Sequence, residues 1–263
     1  MIRLLCLCLT LALSPLTAAA QNADVSVLPG WRDAGGTHVA GLQIRLAPGW
    51  KTYWRRPGEA GIPPAFNWSG SDNVADVQVH WPVPKVFWQS GMRSVGYDKG
   101  VLLPLTVTPR VAGQPITLRL TLDMGVCQDI CVPVNVTTAA VLPATATTSD
   151  PRIRAALADR AFTKSEANVS RVTCDLRLTP KGALLTATLA MPQVGQSEEV
   201  VFEPADPRLW VSEPKTARQG NTLMATAHVQ APRGQPLSLD RSGLRITVIG
   251  ERGAAEIRGC SAP

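Results

Sequence analysis

Twenty-two prolines and 21 glycines divide the 263-residue chain into short runs rich in valine, leucine, threonine and isoleucine. Such punctuation favours short strands joined by frequent turns and leaves little room for long helices. The alternation within the runs carries the same message. In His38-Val39-Ala40-Gly41-Leu42-Gln43-Ile44-Arg45-Leu46 side chains alternate until Pro48-Gly49 ends the run, the period-two pattern of a half-buried strand. Residues 74–80, 101–108, 116–122 and 134–141 read as strands, and so do residues 169–178, 183–190, 200–202, 222–229 and 244–249. The expected fold class is all-β, and packed sandwiches are the natural way for such strands to bury one face.

The first twenty residues have a different character. Arg3 gives a short basic start, residues 4–13 are apolar, and Ala18-Ala19-Ala20 precede Gln21 as a small-residue cleavage site. We read residues 1–20 as a signal peptide. Its apolar stretch is far shorter than the ~20 residues that span a bilayer, so the mature protein is expected to be exported, soluble and not itself membrane-spanning. Cys6 and Cys8 lie inside the leader and are assigned no role. The remaining length of about 243 residues suits two domains. The first is placed at residues 21–142, a linker with a short helix at 143–167, and a second β-rich domain at 168–263. The helix is read from a capping Asp150, Pro151 at the first helical position, and Ile153, Ala156 and Leu157 on one face over residues 152–162.

Four cysteines remain, Cys127, Cys131, Cys174 and Cys260. In an exported chain an even number favours disulfides. A Cys174–Cys260 bridge closes a long loop and stabilises by roughly 4 to 5 kcal/mol, whereas Cys127–Cys131 closes a loop of only about five residues for roughly 2. The long bridge is therefore read as structural. The short one fits exchange chemistry, which needs one attackable sulfur and a second close enough to resolve the mixed disulfide. Strand-like flanks put the short pair at the top of a β-hairpin, with Gly125 as a strand breaker and Pro133 as a rigid exit. Asp129, between the cysteines, disfavours a thiolate and slows spontaneous attack.

A formal charge of +6 is spread along the chain, and no basic run points to nucleic acid. No hydrolase elbow, zinc-protease helix or nucleotide fingerprint is present. Six of seven tryptophans fall in the first half, Trp31, Trp50, Trp54, Trp68, Trp81 and Trp88, with Trp210 in the second.

In order, Gly49-Trp50-Lys51-Thr52-Tyr53-Trp54-Arg55, Trp81-Pro82, Gly96-Tyr97, Leu103-Pro104 and Val126-Cys127 through Cys131-Val132-Pro133 resemble the amino-terminal periplasmic domain of the thiol:disulfide interchange protein DsbD and of ScsB-type proteins. The resemblance covers roughly residues 24–142. It implies an immunoglobulin-like β-sandwich, here followed by a second sandwich-like domain, in a periplasmic and monomeric protein. It implies that Cys127 and Cys131 carry electrons from a membrane-embedded thiol reductase to periplasmic disulfide-containing proteins, without metal or other cofactor. Trp50 and Tyr53 fall where the family has aromatics near the pair, and Phe87, Trp88 and Met92 where it has a cap loop. The cysteine spacing is three residues, shorter than in the best-known DsbD. No membrane-spanning or thioredoxin-like segment is read here, so the electron donor is expected to be a separate protein. Two alternatives stand beside this reading. Met124, Cys127 and Cys131 offer soft sulfur ligands to Cu(I), and the tryptophan-rich face could bind sugar or protein without redox chemistry.

Overall fold

The computed structural model describes residues 22–59, 61–89 and 91–263, so the leader expected over residues 1–20 lies outside the described residues. The first half forms β1 (Ala23–Arg32), β2 (His38–Leu46), β3 (Lys51–Tyr53), β4 (Ala65–Asn67), β5 (Val74–Val79), β6 (Lys85–Gln89), β7 (Met92–Tyr97), β8 (Val101–Pro109), β9 (Ile116–Cys127) and β10 (Cys131–Leu142). They pair into a sheet ordered β1-β2-β8-β5 and a second ordered β10-β9-β3-β7-β6, with β4 also on β9. Both sheets feed one core. Ala40, Leu42, Ile44, Leu103 and Leu105 meet Leu118, Leu120, Leu122, Met124 and Val126, all buried. Each such leucine contributes about 1.5–3 kcal/mol over an exposed one, and Leu120→Ala is the kind of change that costs 2–5 kcal/mol, roughly, through its cavity.

The helix α1 (Pro151–Ala158) starts as its sequence dictates, with the Asp150 carboxylate accepting from the Arg152 backbone N–H at 2.8 Å. It closes at Ala158, short of the expected residue 162. Ile153 is fully buried, and Gly41 leaves it room, since a Cβ there would stand 3.0 Å from Ile153 Cγ1.

The second half contains β11 (Arg171–Thr179), β12 (Gly182–Ala190), β13 (Glu199–Glu203), β14 (Trp210–Val211), β15 (Lys215–Gln219), β16 (Thr222–Gln230), β17 (Arg245–Gly250) and β18 (Gly253–Arg258). One sheet runs β11-β12-β16-β14 with β15 on β16, and a smaller one runs β13-β17-β18. The small sheet is apolar on both faces. Val200, Phe202, Ile246, Val248, Ala255 and Ile257 enter the second core. Val201, Ile249 and Ala254 turn the other way and join the core of the first half.

Charge reinforces that joint. The Arg55 guanidinium stacks 4.0 Å from the Trp54 ring, grips Glu203 through two 2.9 Å hydrogen bonds and reaches Glu256 at 2.7 Å. Burial opposes its charge, and the bonds and charges of Glu203 and Glu256 overcome that, holding Arg55 above the ordinary arginine value. Arg93, with a side chain only 3% exposed, lies 3.0 Å from Glu199 and 3.2 Å from Glu213 and donates to the Val200 carbonyl.

Three details differ from the sequence reading. The strands β9 and β10 run on to the cysteines, and β1, β3, β4, β14, β15 and β18 escaped the alternation pattern. Phe87, Trp88 and Met92, expected in a loop, lie on the strands β6 and β7, with Phe87 paired to Ser94, Trp88 to Arg93 and Gln89 to Met92. Gly125 does not break its strand. It pairs with Pro133 inside the β9–β10 ladder, and proline is tolerated there because β10 is an edge strand.

Candidate functional site

The long ladder from Ile116↔Leu142 to Val126↔Val132 brings Cys127 directly opposite Cys131. Their sulfurs are bonded, with the Cα atoms 4.1 Å apart. Gln128, Asp129 and Ile130 form the intervening turn, in which the Gln128 N–H donates to the Ile130 carbonyl at 3.4 Å.

The two sulfurs live in different surroundings. Cys127 is 5% exposed and sits beside Lys51, its neighbour in β3. Cys131 is exposed, and next to it Ile130 is 74% exposed. The Tyr53 hydroxyl lies 3.0 Å from Cys131 Sγ. A disulfide sulfur carries no hydrogen, so the tyrosine is the donor. Burial pushes the Tyr53 pKa above the usual tyrosine value, which keeps the hydroxyl protonated.

Tyr53 is held there by an absence. The strand β3 pairs with β9 only through Lys51↔Cys127 and Thr52↔Val126, and Thr52 Oγ1 donates to the Gly125 carbonyl at 2.9 Å. The tyrosine ring then lies against Gly125, where a Cβ would stand 3.0 Å from Cδ2 and Cε2 of Tyr53 and 2.8 Å from the Ile62 Cβ. On its other edge, a Cβ at Gly61 would stand 2.8 Å from Tyr53 Cδ1 and 2.3 Å from the Pro57 Cβ. The chain that leaves β9 after Thr52 thus folds over Tyr53 before returning as β4, leaving the residue 6% exposed.

The remaining residues singled out from sequence are placed as follows. Phe87 faces the pair's side of the sheet, its ring centroid 5.2 Å from Lys51 Nζ. Trp88, one residue on, alternates to the other face of β6 and is 61% exposed, and Met92 is 57% exposed at the hairpin end. Trp50 packs against the first core. Asp129 is exposed in the turn. Met124 turns into the core, on the opposite face of β9 from Cys127, so the three soft sulfurs considered for copper do not converge. Trp54 is buried and Trp50, Trp68 and Trp81 pack against the first core, which dissolves the expected tryptophan face. Cys174 and Cys260 are bonded, with Cα atoms 5.7 Å apart and Cys174 fully buried. Sequence reasoning missed Lys51, Ile62 and Ile130, and misread Gly125. The signal for Gly125 was a glycine inside an otherwise strong strand, which marks close approach of another group.

The fold is a β-sandwich that carries a disulfide-bonded cysteine pair at the end of a β-hairpin. Residues 16–143 match the family described as "Thiol:disulfide interchange protein DsbD, N-terminal". The crystal structure of the N-terminal periplasmic domain of ScsB from Proteus mirabilis superposes with a TM-score of 0.67 at 24% identity, covering 92% of this chain and 92% of that one. At that identity the likeness is one of fold, and it extends through both halves. No curated protein matches the chain. The chain therefore carries a DsbD/ScsB-like amino-terminal domain with an immunoglobulin-like sandwich. Among the described residues no helix is long and apolar enough to cross a membrane.

Proposed function

We propose that the protein is a periplasmic dithiol/disulfide carrier that takes reducing equivalents from a separate membrane-embedded thiol reductase and passes them to periplasmic disulfide-containing proteins. The observation that carries this reading is the asymmetry of the pair: an exposed Cys131 under a tyrosine hydroxyl, bonded to a buried Cys127.

The chemistry follows from that asymmetry. In the reduced protein the Cys131 thiolate, stabilised by the Tyr53 hydroxyl, attacks a substrate disulfide. A mixed disulfide forms and one substrate thiolate leaves. Cys127 then loses its proton, attacks Cys131 Sγ, closes the internal disulfide and releases the second substrate thiolate. Two electrons and two protons have passed to the substrate. Recharging reverses the sequence, with a thiolate of the donor attacking the exposed Cys131. Burial of Cys127 confines it to resolving the intermediate, and this limits escape of the bound partner.

The test is trapping. Cys127→Ser should accumulate a mixed disulfide through Cys131 with a periplasmic protein, while Cys131→Ser should accumulate little. Equal trapping by both variants, or none by either, would overturn the assignment.

A further inference from the structure

Where the small sheet β13-β17-β18 meets Arg55 of the first half, the charges are unbalanced. Arg245 and Arg258 stand directly opposite one another in the β17–β18 ladder, an arrangement of like charges that disfavours the pairing. Glu256 lies among three guanidiniums, 2.7 Å from Arg55, 3.5 Å from Arg245 and 3.8 Å from Arg258. Glu203 is taken up by both forks of Arg55. Three arginines therefore face two carboxylates.

Arg55, Arg245, Glu256 and Arg258 line one cleft between the halves, of about 910 Å³. Lys164 adds a further positive charge to its wall and has no carboxylate within 4.0 Å among the described residues. Arg160, on the same wall, is neutralised by Glu166 through two 2.7 Å bonds. His80 contributes no charge near neutral pH, because burial lowers its pKa.

A second, independent observation comes from the buried polar atoms. Trp54 is 2% exposed and Thr247 1% exposed, and both line this cleft. Neither Trp54 Nε1 nor Thr247 Oγ1 has a hydrogen-bond partner in the protein, although buried donors are nearly always paired. An indole N–H can only donate, and a hydroxyl can donate as well as accept. Surplus positive charge in the cleft calls for a partner with negative charge, and the two unmet polar groups belong to side chains that form its wall. Trp81, Val83 and Phe162 supply apolar wall beside them.

We propose that this cleft is a binding site for a small organic anion, a carboxylate or phosphate on an apolar body. Arg245, Arg258 and Lys164 attract the head group, and the body lies against Trp81 and Phe162, beside Trp54 and Thr247 in the cleft wall. The site is separate in kind from the cysteine chemistry, since it needs neither Cys127 nor Cys131.

The experiment titrates the oxidised full mature chain with phenyl phosphate and with benzoate, using inorganic phosphate and acetate as head-group controls. The readout is the Trp54 indole N–H resonance, assigned by its disappearance in Trp54→Phe. A saturable shift with one of the aromatic anions, at lower concentration than with its bare head group, is expected, and the tighter of the two identifies the head group. Arg258 is 73% exposed along its side chain and Lys164 is also exposed, so Arg258→Gln with Lys164→Gln should fold normally and weaken binding by roughly tenfold or more. An indole resonance that stays still with all four probes, or one that shifts equally in the double variant, would overturn the site.

Discussion

The contact between Tyr53 and Cys131 depends on a missing methyl group at Gly125, and restoring that group tests the whole arrangement. In Gly125→Ala the new Cβ would stand 3.0 Å from two ring carbons of Tyr53 and 2.8 Å from the Ile62 Cβ. Gly125 has no positive φ, so crowding alone sets the cost, about 1–3 kcal/mol for one extra carbon in a packed site. The ring must retreat from β9, and its hydroxyl retreats with it from a sulfur 3.0 Å away. A hydrogen bond to a charged group is worth at least ~1.5 kcal/mol, so its loss reduces the thiolate population of reduced Cys131 about tenfold. A more basic thiolate is a better nucleophile, with a Brønsted slope of about 0.4–0.5, which returns roughly threefold. The net expectation is alkylation of Cys131 about three times slower at neutral pH by the same arithmetic. Tyr53→Phe separates the terms, because it keeps the ring and removes only the hydroxyl. It should slow iodoacetamide labelling of Cys131 to the same extent with little change in the unfolding midpoint. Labelling in Tyr53→Phe at the wild-type rate or faster would refute the reasoning.

Three further expectations follow from other parts of the molecule. Cys174→Ser and Cys260→Ser should each destabilise the fold by about 4–5 kcal/mol in the chain-entropy account, read as a lower denaturant midpoint, while Cys127/Cys131 exchange persists; unchanged midpoints in both variants would count against a structural bridge. Trp88→Ala should leave both the alkylation rate of the reduced pair and the stability, to within about 0.5 kcal/mol, as they are, because the ring points to solvent; faster labelling would mean that Trp88 shields the pair after all. For Glu213, burial pushes the carboxyl pKa up, Arg93 opposes that, and Glu199 and Glu59 add to it, with a net rise. The folded protein then holds this proton at a pH where the unfolded chain has lost it, so the group's contribution is most favourable below the ordinary glutamate pKa and is lost as pH rises through the raised value. Glu213→Gln should therefore melt higher than wild type at neutral pH, with the gap closing in acid, and a pH-independent gap would sink the argument.

How far the sequence discloses this structure depends on what each feature requires. Alternation along residues 38–46 and 116–122 is a local property, and β2 and β9 appear where it places them. The runs Val200-Val201-Phe202 and Ile246-Thr247-Val248-Ile249, apolar but for Thr247, also held information that alternation discards. Consecutive apolar residues mean a strand buried on both faces, and β13 and β17 are the strands shared between the two cores. Short strands such as Lys51–Tyr53 and Ala65–Asn67 are too brief to show a period, so the excursion between them, which covers Tyr53, could not be foreseen. The candidate site divides in the same way. The cysteine pair is legible because its two members are close in sequence and its flanks are strands. The tyrosine that reaches Cys131 comes from 78 residues away, and what places it is a glycine whose meaning is steric rather than conformational. A glycine in a strand announces that something approaches closely, and only the fold says that the approaching group is the one that can stabilise a thiolate.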